Sequence, residues 1–229
     1  MGYSRYYVPE AVPVRSGAER ATLVRRTYGL VFLSVLVTMF GSAFAFSQPP
    51  VMQAVLQHPW ITMLCMFAPL LMARAQARSF PRNVIFTLLF TFVEGVWLAP
   101  FLAVTEANAP GAVVSAAALT FVAFGGLSLY AVFSRRDFSA WGSFFGIGLL
   151  VLFVAMIINA FVANAAAGVW ISAIGVLVFS GLLVYDTWRI LRSGMYGQDD
   201  YVMAAVQIYL DLLNMFLFIL SLLGNRSRR

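Results

Sequence analysis

A segment near the C-terminus limits what this chain can become. Residues 201–224 read YVMAAVQIYLDLLNMFLFILSLLG, interrupted by Gln207, Asp211, Asn214 and Ser221, and the run is long enough to cross a bilayer as a helix. Steps of four, three and seven residues put these polar groups on one helical face, while Ile208, Leu212, Leu213, Met215, Phe216 and Leu217 fill the remainder. Lipid does not accept such a stripe. Ionisable residues in membrane segments face a bundle interior or a water-filled cavity, so the other helices are expected to wrap this one. Asp211 dominates the cost: an aspartate near a helix centre is unfavourable by about 3 kcal/mol on insertion scales.

The rest of the chain fits a membrane setting. It is 62% hydrophobic and 10% charged, against a charged fraction of roughly 25% in soluble domains. The bilayer is therefore an expected partner, and a nucleic acid is not. The net charge of +6 comes from arginine, because no lysine occurs. This excludes a retinal pump, whose Schiff base needs a lysine amine. Cys65 is the single cysteine, so no internal disulfide is possible and burial within its apolar run is expected. With one histidine, His58, and no His or Cys cluster, neither zinc nor haem is expected, and no other resident cofactor is called for. A phosphate-cradling Gly-rich loop and the two-residue alternation of a barrel are both missing.

Residues 1–26 form a polar arm carrying Arg5, Arg15, Arg20, Arg25 and Arg26, in which Pro9 and Pro13 oppose a long helix. A seven-helix domain is expected over residues 27–224, followed by a short basic tail, 225–229. Its apolar runs are Thr27–Ser47, Pro59–Ala73, Asn83–Val104, Gly111–Phe133, Trp141–Val162, Ala166–Tyr185 and Tyr201–Gly224. Ala43-Phe44-Ala45 resembles a signal-peptidase site, but the first run is too long and its charged lead too extended for a cleaved signal. Gly142 and Gly146 open the fifth run with a spacing that permits close helix contact. Twelve arginines fall on the side of the N-terminal arm and three, Arg226, Arg228 and Arg229, on the other. The positive-inside rule then places the N-terminus in the cytoplasm and the basic tail outside, unless the last run is re-entrant and the tail lies inside; the cell's inner membrane is the expected location.

Asp186 closes the sixth run and Asp211 lies two to three turns into the seventh, so two neighbouring antiparallel helices bring both carboxylates to similar depth. Two carboxylates meeting in a low dielectric cannot comfortably both ionise, and a shared proton makes the pair a pH-sensitive lock. A bound cation, or an arginine from the basic turn at Arg74 and Arg78, competes with that proton. Other readings stay open. Asp186 precedes Arg189 by three residues and can form a surface ion pair. Gln207 and Asn214 can line a pore or serve as interhelical glue. Glu94, in the middle of the third run, is either a third acidic member or bonded to a neighbouring helix.

Tyr185-Asp186, the run from Ile208 to Phe216, the ending Leu222-Leu223-Gly224 and the segment Phe92–Pro100 together resemble the Bax inhibitor-1 (transmembrane Bax inhibitor motif) family, in its bacterial branch. The likeness extends from Thr27 to Gly224. It implies an all-α membrane bundle of six helices around a central seventh, acting as a pH-sensitive calcium leak. It also implies that Asp186 and Asp211 form the pH sensor and that an arginine ending the second helix, Arg74 or Arg78 here, locks the closed state. A membrane protease is a partner implied in the same way, as is a link to cell-death suppression. Calcium suits the residues as cargo: it takes about six to eight oxygen ligands. Asp186 and Asp211 with amide, backbone and water oxygens make only a loose cage, as conduction requires.

Two rivals remain. Intramembrane aspartyl proteases also pair a Tyr-Asp with an aspartate on the next helix, but the Gly-x-Gly lead and Pro-Ala-Leu segment of those enzymes are absent here. The chain is accordingly not expected to be an enzyme. A non-conducting regulator of another membrane protein is the other alternative.

Overall fold

A computed structural model describes residues 17–192 and 196–226, apart from the side chains of Gln198 and Arg226. Arg5, Pro9, Pro13, Arg15, Arg228 and Arg229 lie outside the described residues. Every regular element among the described residues is a helix. These are α1 (Gly17–Ser47), α2 (Pro49–Gln57), α3 (Pro59–Ala75), α4 (Arg82–Asn108), α5 (Ala112–Phe133), α6 (Trp141–Val162), α7 (Ala165–Arg192) and α8 (Tyr201–Arg226), with a 3-10 turn at Gln198–Asp200. Six of them, α1 and α4 to α8, are long and apolar enough to cross a membrane, and α2 with α3 form a bent pair that brings the number to as many as seven. The chain is a multi-pass membrane protein.

Proline punctuates the second crossing. Pro49 and Pro50 open α2 and Pro59 opens α3, positions where a missing N–H costs nothing. His58, between the two helices, donates its N–H to Ala54 and lends its carbonyl to Ile61 and Thr62. The axes turn by 101° at this joint. Two boundaries differ from those expected. Helix α1 is already helical at Gly17, the first described residue, rather than from Thr27, and includes Glu19. Helix α7 runs past Tyr185 to Arg192, so Asp186 sits inside it.

Contacts rank the helices from centre to edge. Helix α8 packs on α7, α5, α1 and α4, and half of its most apolar stretch is buried, the largest share among the six single-helix spans. Helix α6 packs on α7 and buries only Leu152. Helix α3 packs on α4 and α2. That position corrects the expectation for Cys65, which is exposed: most of the circumference of α3 faces outward, and in a membrane an outward face is as apolar as a core.

Helices α1 and α4 cross closely at two glycines. A Cβ on Gly95 would stand 2.1 Å from the Thr38 carbonyl oxygen, and one on Gly41 would stand 2.3 Å from that of Phe92. Ser42 Oγ donates to the Gly95 carbonyl at 2.8 Å across the same crossing. Of the pair singled out in α6, Gly142 faces the Tyr185 ring while Gly146 has open space around it.

Candidate functional site

The polar stripe of α8 faces α7, and the pairs run in antiparallel register along the seam. Ser172 Oγ donates to Ser221 Oγ at 3.0 Å, and Ser180 Oγ donates to Met215 Sδ at 3.4 Å. Asp186 then meets Asp211, and Arg189 meets Gln207 at 3.3 Å. Arg189 and the two acids lie toward the end of the bundle that carries the arginine-rich turns.

Asp186 and Asp211 are 8% and 6% exposed, and their carboxyl groups lie within side-chain hydrogen-bonding range of each other. Asp211 Oδ2 is buried and no protein N–H or O–H donor reaches it. Two ionised carboxylates leave that oxygen unpaired beside a like charge, whereas a proton on either acid gives it a donor or makes it one. A proton on one of the acids, or a cation between them, would satisfy that oxygen. Arg189 Nη1 stands 3.7 Å from Asp186 Oδ1, so the ion pair open from sequence is formed as well, beside the dyad.

Arg189 belongs to a wider cluster. Its Nη2 donates to the Tyr196 hydroxyl and to Gln207 Oε1, Tyr196 donates in turn to Gln207, and the guanidinium lies over the rings of Tyr185 and Tyr196 at 5.9 and 5.1 Å. Tyr196 enters from the link after α7 and is buried; burial pushes its phenol up, so it stays a neutral donor. The sequence signalled Arg189 only as a partner three residues on and gave no signal for Tyr196, whose place depends on how the link folds back.

Arg74 and Arg78, expected against the dyad, are placed elsewhere. Arg74 is exposed on α3 and Arg78 is exposed in the α3–α4 turn, where its Nε lies 3.2 Å from Asp200. The reason is packing: α3 lies against α4 and α2, on the outer side of the bundle. Glu94 is buried and its Oε2 lies 3.0 Å from the Tyr209 hydroxyl of α8, a hydrogen-bonded contact with a neighbouring helix that is the second of its two open readings. Gln207 is bonded to Arg189 and Tyr196, while Asn214 donates to the Leu210 carbonyl at 2.8 Å.

Asn214 also lines a cavity of about 730 Å³, with Ser221, Ser172, Asn159, Trp97 and Phe218. It lies toward the opposite end of the bundle and reaches within one turn of α8 of Asp211. Among the described residues no three His, Cys, Asp or Glu side chains converge on a point.

The sequence model of a family described as "Inhibitor of apoptosis-promoting Bax1" matches residues 20–228. An uncharacterised membrane protein of Vibrio cholerae is 32% identical, with 90% of each chain covered. A protein of Schizosaccharomyces pombe named Bax inhibitor 1 is 30% identical over 90% of this chain and 77% of its own. A Golgi anti-apoptotic protein of vaccinia virus is 30% identical over 92% of this chain and 88% of its own.

Proposed function

The chain belongs to the Bax inhibitor-1 family of multi-pass membrane proteins, and from that premise we propose that it is a pH-sensitive calcium leak gated by the Asp186–Asp211 pair. In this reading the bent α2–α3 pair is one crossing, giving seven, and α8 is the central helix. The N-terminus is cytoplasmic and the membrane is the cell's inner one. The observation that carries the proposal is the buried contact of the two carboxyls on α7 and α8, with Asp211 Oδ2 lacking any donor but a shared proton. Protonation changes the charge between the Asn214 cavity and the arginine-rich end. The same step changes the pull on Arg189, the cation nearest the dyad. Calcium passing the dyad meets carboxylate, amide and water oxygens, a partial cage that holds it weakly enough to release it.

The test is calcium flux into proteoliposomes across a pH series. The unmutated protein gives a leak that titrates, Asp186→Asn flattens its pH dependence, and Asp211→Asn reduces or deregulates it. Flux unchanged at every pH in both variants removes the gate. Flux equal to that of empty liposomes in the unmutated protein removes the channel. That outcome favours the second reading, a non-conducting regulator of another membrane protein such as a membrane protease. The names of the fission-yeast and vaccinia relatives, Bax inhibitor 1 and Golgi anti-apoptotic protein, favour the same alternative.

A further inference from the structure

The dyad is not the only buried acid in the bundle. Glu94 lies on α4, 7% exposed, and its Oε2 is 3.0 Å from the Tyr209 hydroxyl. That hydroxyl is also 2.7 Å from Thr38 Oγ1 of α1, and Thr38 Oγ1 is 2.9 Å from the Ser34 carbonyl. Tyr209 and Asp211 are two residues apart, so they leave α8 on roughly opposite faces, separated along the axis by about 3 Å. One acid cluster ties α8 to α7, and the other ties it to α4 and α1.

Counting protons identifies the state this second cluster is built for. The chain Glu94, Tyr209, Thr38, Ser34 carbonyl has three short contacts, each needing one proton. Tyr209 and Thr38 supply one each. With Glu94 protonated, all three contacts are filled in one direction: Glu94 donates to Tyr209, Tyr209 to Thr38, and Thr38 to the Ser34 carbonyl. With Glu94 ionised, two protons serve three contacts and one is broken. Charge argues the same way. From α8 the facing titratable group is Tyr209, and from α1 the facing polar groups are Thr38 and Ser42, which do not titrate. No arginine or histidine ion pair reaches Glu94 among the described residues, and the chain has no lysine. A buried carboxylate without a cation is strongly disfavoured, and one phenol donor does not offset it. We infer that Glu94 is a second proton-binding site, separate from the aspartate pair, whose proton completes the Glu94–Tyr209–Thr38 chain holding α8 against α4 and α1.

The surroundings make that proton a structural one. Phe90 meets the Tyr209 ring edge-on at 6.1 Å, and Thr38 is held by the close Gly95 crossing. Loss of the proton places a charge in this seam and breaks a link of the chain, so α8 is loosened on the face opposite the dyad. Protons thus act on α8 from both sides. The proton site stands on its own geometry; only its effect on conduction rests on the leak reading.

Infrared difference spectroscopy of the purified full-length protein in lipid nanodiscs, titrated with pH, tests the assignment. The expected spectrum contains a protonated-carboxyl C=O band at neutral pH that Glu94→Gln removes and that Asp186→Asn and Asp211→Asn leave in place. Tyr209→Phe shifts this band, because the acid loses its acceptor. Carbon-13 glutamate labelling of the unmutated protein moves the same band and no aspartate band, so the test survives a Glu94→Gln variant that fails to fold. A labelled protein with no protonated glutamate band at neutral pH overturns the inference, as does a Glu94→Gln spectrum that keeps every acid band. Calcium flux of the same samples separates the two readings. A glutamate band without flux in any variant defeats the channel alone. Titrating flux that Asp186→Asn flattens, with no glutamate band, defeats this proposal alone.

Discussion

Replacing Gly95 with alanine is the sharpest probe of the architecture that holds these acids in place. In an ordinary helix interior the change is favourable by about 0.5–1 kcal/mol, because alanine loses less backbone entropy. Here the new Cβ would lie 2.1 Å from the Thr38 carbonyl oxygen, 2.9 Å from its carbon and 3.0 Å from its Cα. These are backbone atoms that no rotamer change can move aside, so α1 and α4 must part by about 1 Å to reach ordinary contact. The Ser42 to Gly95 carbonyl bond, 2.8 Å at present, does not survive that separation. Overpacking costs about 1–3 kcal/mol, and a lost interhelical bond in a membrane about 0.6 kcal/mol. The gain in helix propensity subtracts from this, leaving roughly 1–3 kcal/mol of destabilisation. At about 2–4 °C per kcal/mol for a chain of this size, Tm in detergent falls by roughly 2–12 °C. Gly126 is the control, since nothing lies within 4 Å of a Cβ placed there, and Gly126→Ala leaves Tm unchanged or slightly higher. If Gly95→Ala behaves like Gly126→Ala, the close α1–α4 crossing is wrong, and with it the layer that fixes Thr38 beside Tyr209.

Other consequences are checked more briefly. Arg189→Gln removes the cation 3.7 Å from Asp186, so the ionised dyad loses a partner and the midpoint of the flux titration moves to higher pH by about one unit or more; Arg189→Lys restores most of it, and an unmoved midpoint refutes the coupling. Arg78→Ala breaks an ion pair whose arginine side chain is 78% exposed, and thermal unfolding should show a change below about 1 kcal/mol; a flux profile altered by this substitution returns the lock to Arg78. Cys65, exposed on α3, reacts in native membranes with a lipid-soluble maleimide, and protection from it contradicts the placement of α3 at the edge.

Much of the fold was legible because crossing a bilayer demands long apolar runs, and each of the seven runs coincides with a single helix, the second of them with α3 of the bent pair. The bend before α3 was not, since Pro49, Pro50 and Pro59 mark helix starts without giving the angle between them. The facing of α8 on α7 could be read from the spacing of Gln207, Asp211, Asn214 and Ser221. Periodicity fixes a face, and a short link fixes the neighbour. The partners of Arg78 and Glu94 could not be read, because both depend on contacts between helices far apart in sequence. Arg78 ends beside Asp200 and Glu94 beside Tyr209, separations of 122 and 115 residues. Cys65 was misjudged for a different reason: hydrophobicity separates core from surface in water, and in lipid it does not.

The same reasoning explains why polar residues carry more information here than apolar ones. An apolar side chain is content against either lipid or protein, so its identity says little about position. A buried acid is content only with a proton, a cation or donors, and each requirement names a neighbour. Asp211 requires Asp186, with Arg189 close by; Glu94 requires Tyr209, which requires Thr38. These two chains of requirements fix α8 against α7 on one face and against α4 and α1 on the other. A motion that opens a path along α8 must break at least one of them, and in each the group that can be withdrawn without unfolding the chain is a proton. On the proposed reading, a pH response would come from where these acids are buried, whichever ion or partner makes use of it.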